Sequence, residues 1–254
     1  MLKTPPELLL DQGPLRIRYL HGEGRTLVVS YSGVGNTRSE EPSLEFVETA
    51  SDGGKNHVLF VTDQSRSWLN GPGISSTLQA AVTAVRAETQ ADRVLGLGNS
   101  MGGSMAILLA DEIPFDAVLA FTPQYSILSS EVPEETRWTY FRKRIASFPY
   151  PRVDTFRTER TKYFMLHGDD DSELAHALRF PIRPGISHRI VPNCGHTLAR
   201  QLKRKGVLSP IVRDFIDGRY RRMRSRLDGI QAVTRARLDL EARGGGSDHR
   251  YAAE

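Results

Sequence analysis

Three sets of residues along this chain have the types and order needed for acyl chemistry. A serine lies among small neighbours in Gly98-Asn99-Ser100-Met101-Gly102-Gly103, an acidic run follows in Leu166-His167-Gly168-Asp169-Asp170-Asp171, and a histidine follows in Val191-Pro192-Asn193-Cys194-Gly195-His196. A serine hydroxyl is a poor nucleophile at neutral pH and needs a base within hydrogen-bond reach. Histidine can take that proton and return it to a leaving group, while a carboxylate behind the ring fixes its tautomer and steadies the imidazolium. Ser100 is therefore the candidate nucleophile and His196 the candidate base. Residue type alone leaves Asp169, Asp170 and Asp171 all open as the acid.

These residues must be carried by elements that bring their tips together. Arg93–Leu97 reads as a short apolar strand and Ser104–Ala110 as a buried helix, so Ser100 falls on a sharp strand-to-helix turn. Side chains beside such a turn have no room, which is why glycine flanks it. The acidic run follows a strand at Lys162–Leu166, and His196 follows one at His188–Val191. Further strands are expected at Leu15–Leu20, Thr26–Ser30, Val58–Thr62 and Ala117–Phe121. Leu78, Ala81, Val82 and Val85 give Ile74–Thr89 a helical period. Leu198–Ile216 reads as a closing helix broken at Gly206 and Pro210. Alternating strands and helices predict an α/β fold with a mostly parallel, doubly wound sheet.

The expected domain covers residues 1–218. Within it, Gln124 to Arg160 carries Tyr125, Trp138, Tyr140, Phe141, Phe148 and Tyr150 among charges and prolines, and reads either as a small lid insertion at the C-terminal strand edge or as an ordinary amphipathic surface segment. Residues 219–254 read as a basic helical segment ending in a disordered tail from Gly244.

From Leu15 to Ile216 the chain resembles the α/β-hydrolase superfamily, whose members place nucleophile, acid and histidine in this order. The resemblance implies that superfamily's fold and a Ser-His-Asp triad. It selects Asp171 as the acid, three residues after Gly168. It also implies that the backbone N–H groups of Met101 and Val34 receive the developing oxyanion. Ser32-Gly33-Val34-Gly35 stands where many members carry His-Gly-x-Gly, so this loop departs from the common pattern. Gly-Asn-Ser-Met-Gly-Gly also occurs in hydrolases that split carbon–carbon bonds, but the departing loop argues against that substrate class. The implied activity is cleavage of a carboxylic ester or thioester. The alternatives are an acyltransferase on the same triad, or a non-catalytic binding or scaffold protein on this fold.

The rest of the chain narrows the field. At 254 residues it can bury a core without staples, and its one cysteine excludes an intrachain disulfide. Cys194 reads as a buried small hydrophobe. No spacing resembles a metal site, and neither a dinucleotide fingerprint nor a P-loop lysine is present, so no metal and no cofactor are expected. A net charge of +4 without a recognition motif does not make a nucleic-acid binder. The arginines at 219, 221, 222, 224 and 226 read as a solvated face of an amphipathic basic helix, or as a surface for an acidic partner, a second copy of the chain or an anionic membrane. Arg66, Trp68, Trp138 and Phe141 are the candidate substrate-lining residues. Met1 to Leu20 lacks the basic and apolar regions of a secretory signal, and the expected location is the cytoplasm.

Overall fold

The computed structural model describes residues 5–238. Among these residues nine strands form one sheet in the order β1-β2-β4-β3-β5-β6-β7-β8-β9. They are β1 (Glu7–Gln12), β2 (Leu15–Leu20), β3 (Thr26–Tyr31), β4 (His57–Asp63), β5 (Arg93–Asn99), β6 (Ala117–Phe121), β7 (Lys162–Gly168), β8 (Ile186–Val191) and β9 (Val233–Thr234). Strands β4, β3, β5, β6, β7 and β8 run parallel. The β1-β2 hairpin and β9 add antiparallel strands at the two edges.

Successive strand residues point to opposite faces, and both faces are buried. On β6, Val118 and Ala120 enter one core while Ala117, Leu119 and Phe121 enter the other. The first face packs against α2 (Ile74–Thr89) and α3 (Met101–Leu109) through Leu78, Val82, Val85 and Met105. The second packs against α1 (Val47–Ser51), α6 (Leu198–Arg204), α7 (Leu208–Ile216) and α8 (Tyr220–Gly229). The predicted helix 198–216 is divided at Gly206, whose φ of 71° lies in the left-handed region. Pro210 sits inside the first turn of α7, where its missing N–H has no intrahelical acceptor to lose.

The domain boundary expected at Gly218 is corrected by the packing. Met223 and Leu227 of α8 are fully buried in the second core, and β9 pairs with β8. The arginine cluster has an internal use as well. Arg219, Arg222 and Arg226 converge on the buried carboxylate of Asp214 in α7, at 3.2, 3.6 and 2.6 Å. Desolvating a carboxylate is costly unless it is paired, and these arginines supply the pairing. The tail expected from Gly244 lies outside the described residues.

Residues 124–160 hold one short helix, α4 (Thr139–Arg142). Their Ile127, Phe141, Val153 and Phe156 are buried in the first core. The lid expected here is thus anchored to the domain: of its named rings Phe141 is buried in the core, Tyr125, Trp138, Phe148 and Tyr150 pack half-buried against it, and Tyr140 is exposed. Among the described residues, no helix is long and apolar enough to cross a membrane.

Candidate functional site

Register brings the candidate residues to one edge of the sheet. Asn99 on β5 stands opposite Phe121 on β6, Phe121 opposite Leu166 on β7, and Gly168 opposite Val191 on β8. The segments leaving these four strands therefore emerge side by side.

Ser100 takes φ 56° and ψ −125°, a conformation that only a surrounding structure can hold on a non-glycine residue. The neighbouring glycines make the turn feasible. A Cβ on Gly98 would lie 2.3 Å from the Gly102 carbonyl carbon, and one on Gly102 would lie 2.3 Å from the Tyr31 carbonyl oxygen. The Ser100 N–H donates to Phe121 O at 2.8 Å. Met101 follows as the first residue of α3, so its N–H has no intrahelical acceptor. Val34 lines a pocket of about 190 Å³ together with Ser100 and His196.

Ser100 Oγ lies 2.9 Å from His196 Nε2. On the other side of the ring, His196 Nδ1 lies 2.8 Å from Glu173 Oε1. A carboxylate accepts only, so Nδ1 carries the proton and Nε2 is free to accept from the serine hydroxyl.

Glu173, not Asp171, is the acid that the structure brings to His196. Asp170 is the N-cap of α5 (Asp171–Ala177), its carboxylate accepting the Glu173 N–H at 2.8 Å. That start of the helix turns Asp171 to solvent and Glu173 inward, where it is 1% exposed. Asp169 takes a different task, accepting the Cys194 N–H at 3.2 Å while its own N–H donates to Cys194 O at 2.9 Å. This clasp draws the loop after β7 against the loop after β8. Glycines permit the approach: a Cβ on Gly168 would lie 2.0 Å from Cys194 O, and one on Gly195 would lie 1.9 Å from Asp170 Oδ2. The sequence held a usable signal in Asp170-x-x-Glu173, the spacing of a helix N-cap and its third residue.

A buried network supports the acid. Arg137 donates to Glu173 at 3.0 Å and also pairs with Glu135. Glu135 in turn accepts from His176 Nε2 at 2.8 Å, while His176 Nδ1 accepts the Tyr125 N–H. Burial pushes the Glu173 carboxyl up, but its hydrogen bond to His196 and the nearby His and Arg charges outweigh this and hold it at about 2. Glu135 is also held at about 2, burial being outweighed by His176 and Arg137. Glu45, which lines the same pocket as Ser100, behaves oppositely. Burial raises it to about 7, against the lowering effect of the Gly33 N–H and Asn99.

The four predicted substrate-lining residues are placed differently from one another. Trp138 lines the Ser100 pocket, its ring centroid 5.8 Å from that of His196. Arg66 is buried and braces the Val34 loop, donating to the carbonyls of Val34, Gln64 and Glu40. Arg66 and Phe141 line a separate cavity of about 760 Å³, whereas Ser100 and His196 line the smaller pocket. Trp68 is buried and donates its indole N–H to Gln124 Oε1 at 3.0 Å. Gln124 was missed as a site residue: its Nε2 donates to Ser100 Oγ at 2.8 Å. Cys194 is buried, and burial raises its thiol. Among the described residues no group of three or more His, Cys, Asp or Glu is arranged to hold a metal ion.

No protein-family model matches the chain, and no curated protein matches it in sequence. Solved structures do match. The capsule O-acetyltransferase of Neisseria meningitidis serogroup A aligns with a TM-score of 0.58 at 15% identity, over 83% of this chain and 98% of that one. A Xanthomonas campestris protein described as an α/β serine hydrolase without a lid aligns with a TM-score of 0.52 at 16% identity, over 82% and 90%. The chain has an α/β-hydrolase fold. At such identities the α/β-hydrolase likeness extends to the fold alone, and function has to be drawn from the site.

Proposed function

We propose that this protein is a serine hydrolase that cleaves a carboxylic ester or thioester through an acyl-Ser100 intermediate. The observation that carries this reading is the continuous chain Ser100 Oγ–His196–Glu173 at 2.9 and 2.8 Å, at the strand ends of an α/β-hydrolase fold. His196 Nε2 takes the hydroxyl proton as Oγ attacks the carbonyl carbon, and Glu173 stabilises the imidazolium that results. The N–H groups of Met101 and Val34 face the oxygen that gains charge. Collapse expels the alcohol or thiol, which receives its proton from His196. Water then repeats the sequence on the acyl-enzyme. The same intermediate passed to an alcohol would give acyl transfer. The His196 side chain is 25% exposed, which supports water as the acceptor.

The test is a fluorophosphonate probe, followed by a panel of activated esters and thioesters, on wild type and Ser100→Ala. Labelling and turnover in wild type, both lost in the variant, are expected. Unchanged turnover in folded Ser100→Ala would remove the serine mechanism.

A further inference from the structure

Ser100 Oγ has a second partner that the proton relay does not require. Gln124 lies three residues beyond β6 and is 1% exposed, with its amide nitrogen 2.8 Å from Oγ. Trp68 settles which way that amide faces. An indole N–H can only donate, so the Gln124 atom 3.0 Å from it is the oxygen, and the NH₂ is left pointing at Ser100. The Ser104 hydroxyl holds the Gln124 main-chain carbonyl at 2.9 Å, which fixes the backbone as well.

The serine hydroxyl has one proton and two lone pairs. Its proton is directed to His196 Nε2 at 2.9 Å. One lone pair accepts from Gln124, and the other remains for the carbonyl carbon. We propose that Gln124 is a further catalytic residue, whose amide N–H stabilises the charge that Ser100 Oγ carries between hydroxyl and ester. This rests on the acyl-serine reading above.

In acylation the O–H bond of Ser100 breaks, the proton moves to His196 Nε2, and the Oγ–C bond forms as the carbonyl π pair moves to its oxygen. In deacylation water forms the new C–O bond and gives its proton to His196. The Oγ–C bond then breaks, its pair returns to Oγ, and Oγ recovers a proton from the imidazolium. Gln124 transfers no proton at any stage. Its hydrogen bond strengthens each time Oγ gains charge, because bonds to charged oxygen exceed those to neutral oxygen. Losing one such bond lowers the rate roughly ten- to hundredfold.

Two substitutions separate this role from packing. Gln124→Met removes the donor at similar side-chain length. Gln124→Glu keeps an acceptor for Trp68 and offers a proton to Oγ only while its carboxyl is protonated. Fluorophosphonate labelling rates and turnover of an activated ester are measured across pH, with tryptophan fluorescence and thermal melts reporting the fold. Gln124→Met should label and turn over roughly ten- to hundredfold more slowly at every pH, with KM near wild type. The deficit of Gln124→Glu should widen as pH rises. Folded Gln124→Met labelling at the wild-type rate across pH overturns the proposal. Failure of the underlying reading looks different: wild type would not label, or Ser100→Ala would label equally.

Discussion

Glu173→Gln changes one oxygen to nitrogen at a side chain that is 1% exposed, and its consequences can be worked from the site. The substituted amide would present either its oxygen or its NH₂ to His196 Nδ1. With the NH₂ facing the ring, Nδ1 becomes the acceptor and Nε2 carries the proton, which is the wrong tautomer for receiving the Ser100 hydroxyl. The equivalent change in a trypsin-type triad lowers kcat about 10⁴-fold, or roughly 5.5 kcal/mol of barrier, and a loss of that order is expected here. Stability also falls, because a neutral amide cannot form the ion pair with Arg137. The Glu173 carboxyl is held at about 2 against 4.5 for an ordinary glutamate, and this depression corresponds to stability on the order of 3 kcal/mol. That stability is present above about pH 4.5 and is lost as pH falls through about 2. The assay is steady-state hydrolysis of an activated ester near pH 7, with urea unfolding in parallel. Asp171→Asn is the control: Asp171 is exposed, and its replacement should change stability by no more than about 0.5 kcal/mol. Collapse of activity in Asp171→Asn, with Glu173→Gln still active, would refute the assignment.

Four further outcomes follow from the same geometry. Arg137→Ala leaves Glu135 and Glu173 as buried carboxylates without their shared cation, and should cost roughly 3–5 kcal/mol in denaturant unfolding. Gly102→Ala drives a methyl group to 2.3 Å from the Tyr31 carbonyl oxygen, so a melting experiment should show a loss of at least about 1–3 kcal/mol. Glu45 binds its proton more tightly in the folded than in the unfolded chain, so its contribution is greatest below about pH 4.5 and is lost as pH rises through about 7. Melts at pH 5 and pH 9 should therefore show wild type losing stability relative to Glu45→Gln as pH rises. A chain ending at Gly218 exposes the sites filled by Met223 and Leu227, worth about 1.5–3 kcal/mol each, and strips three arginines from buried Asp214. Soluble, cooperatively unfolding protein from that truncation would contradict the packing described for α8.

The central strands were legible because their apolar runs are buried on both faces, and the turn at Ser100 was legible because glycine is sterically required there. The antiparallel edges were harder to read. Strand β1 spans Glu7–Gln12 with mostly exposed side chains, so its sequence carries no core pattern, and β9 is two residues long. The arginine cluster misled in a specific way. A run of like charges normally reads as a solvated face, but three of these side chains fold back onto Asp214, a partner that sequence spacing does not reveal. The acid was misassigned because three adjacent aspartates drew attention from the helix start they create. Asp169 clasps the neighbouring loop, Asp170 caps α5, and Asp171 faces water, which leaves Glu173 as the side chain reaching His196. Gln124 could not be found from its own neighbourhood, since its role depends on the alignment of β6 with β5 and on Trp68, 56 residues earlier.

The most direct measurement is acid quenching of the protein during turnover of an activated ester, followed by proteolysis and mass mapping of the acylated peptide. The acyl mass should appear on the peptide containing Ser100. It should accumulate when deacylation is slow and be absent in Ser100→Ala. An acyl group on another residue, or full turnover with no covalent species in quenched samples of either protein, would contradict a serine hydrolase built on Ser100, His196 and Glu173.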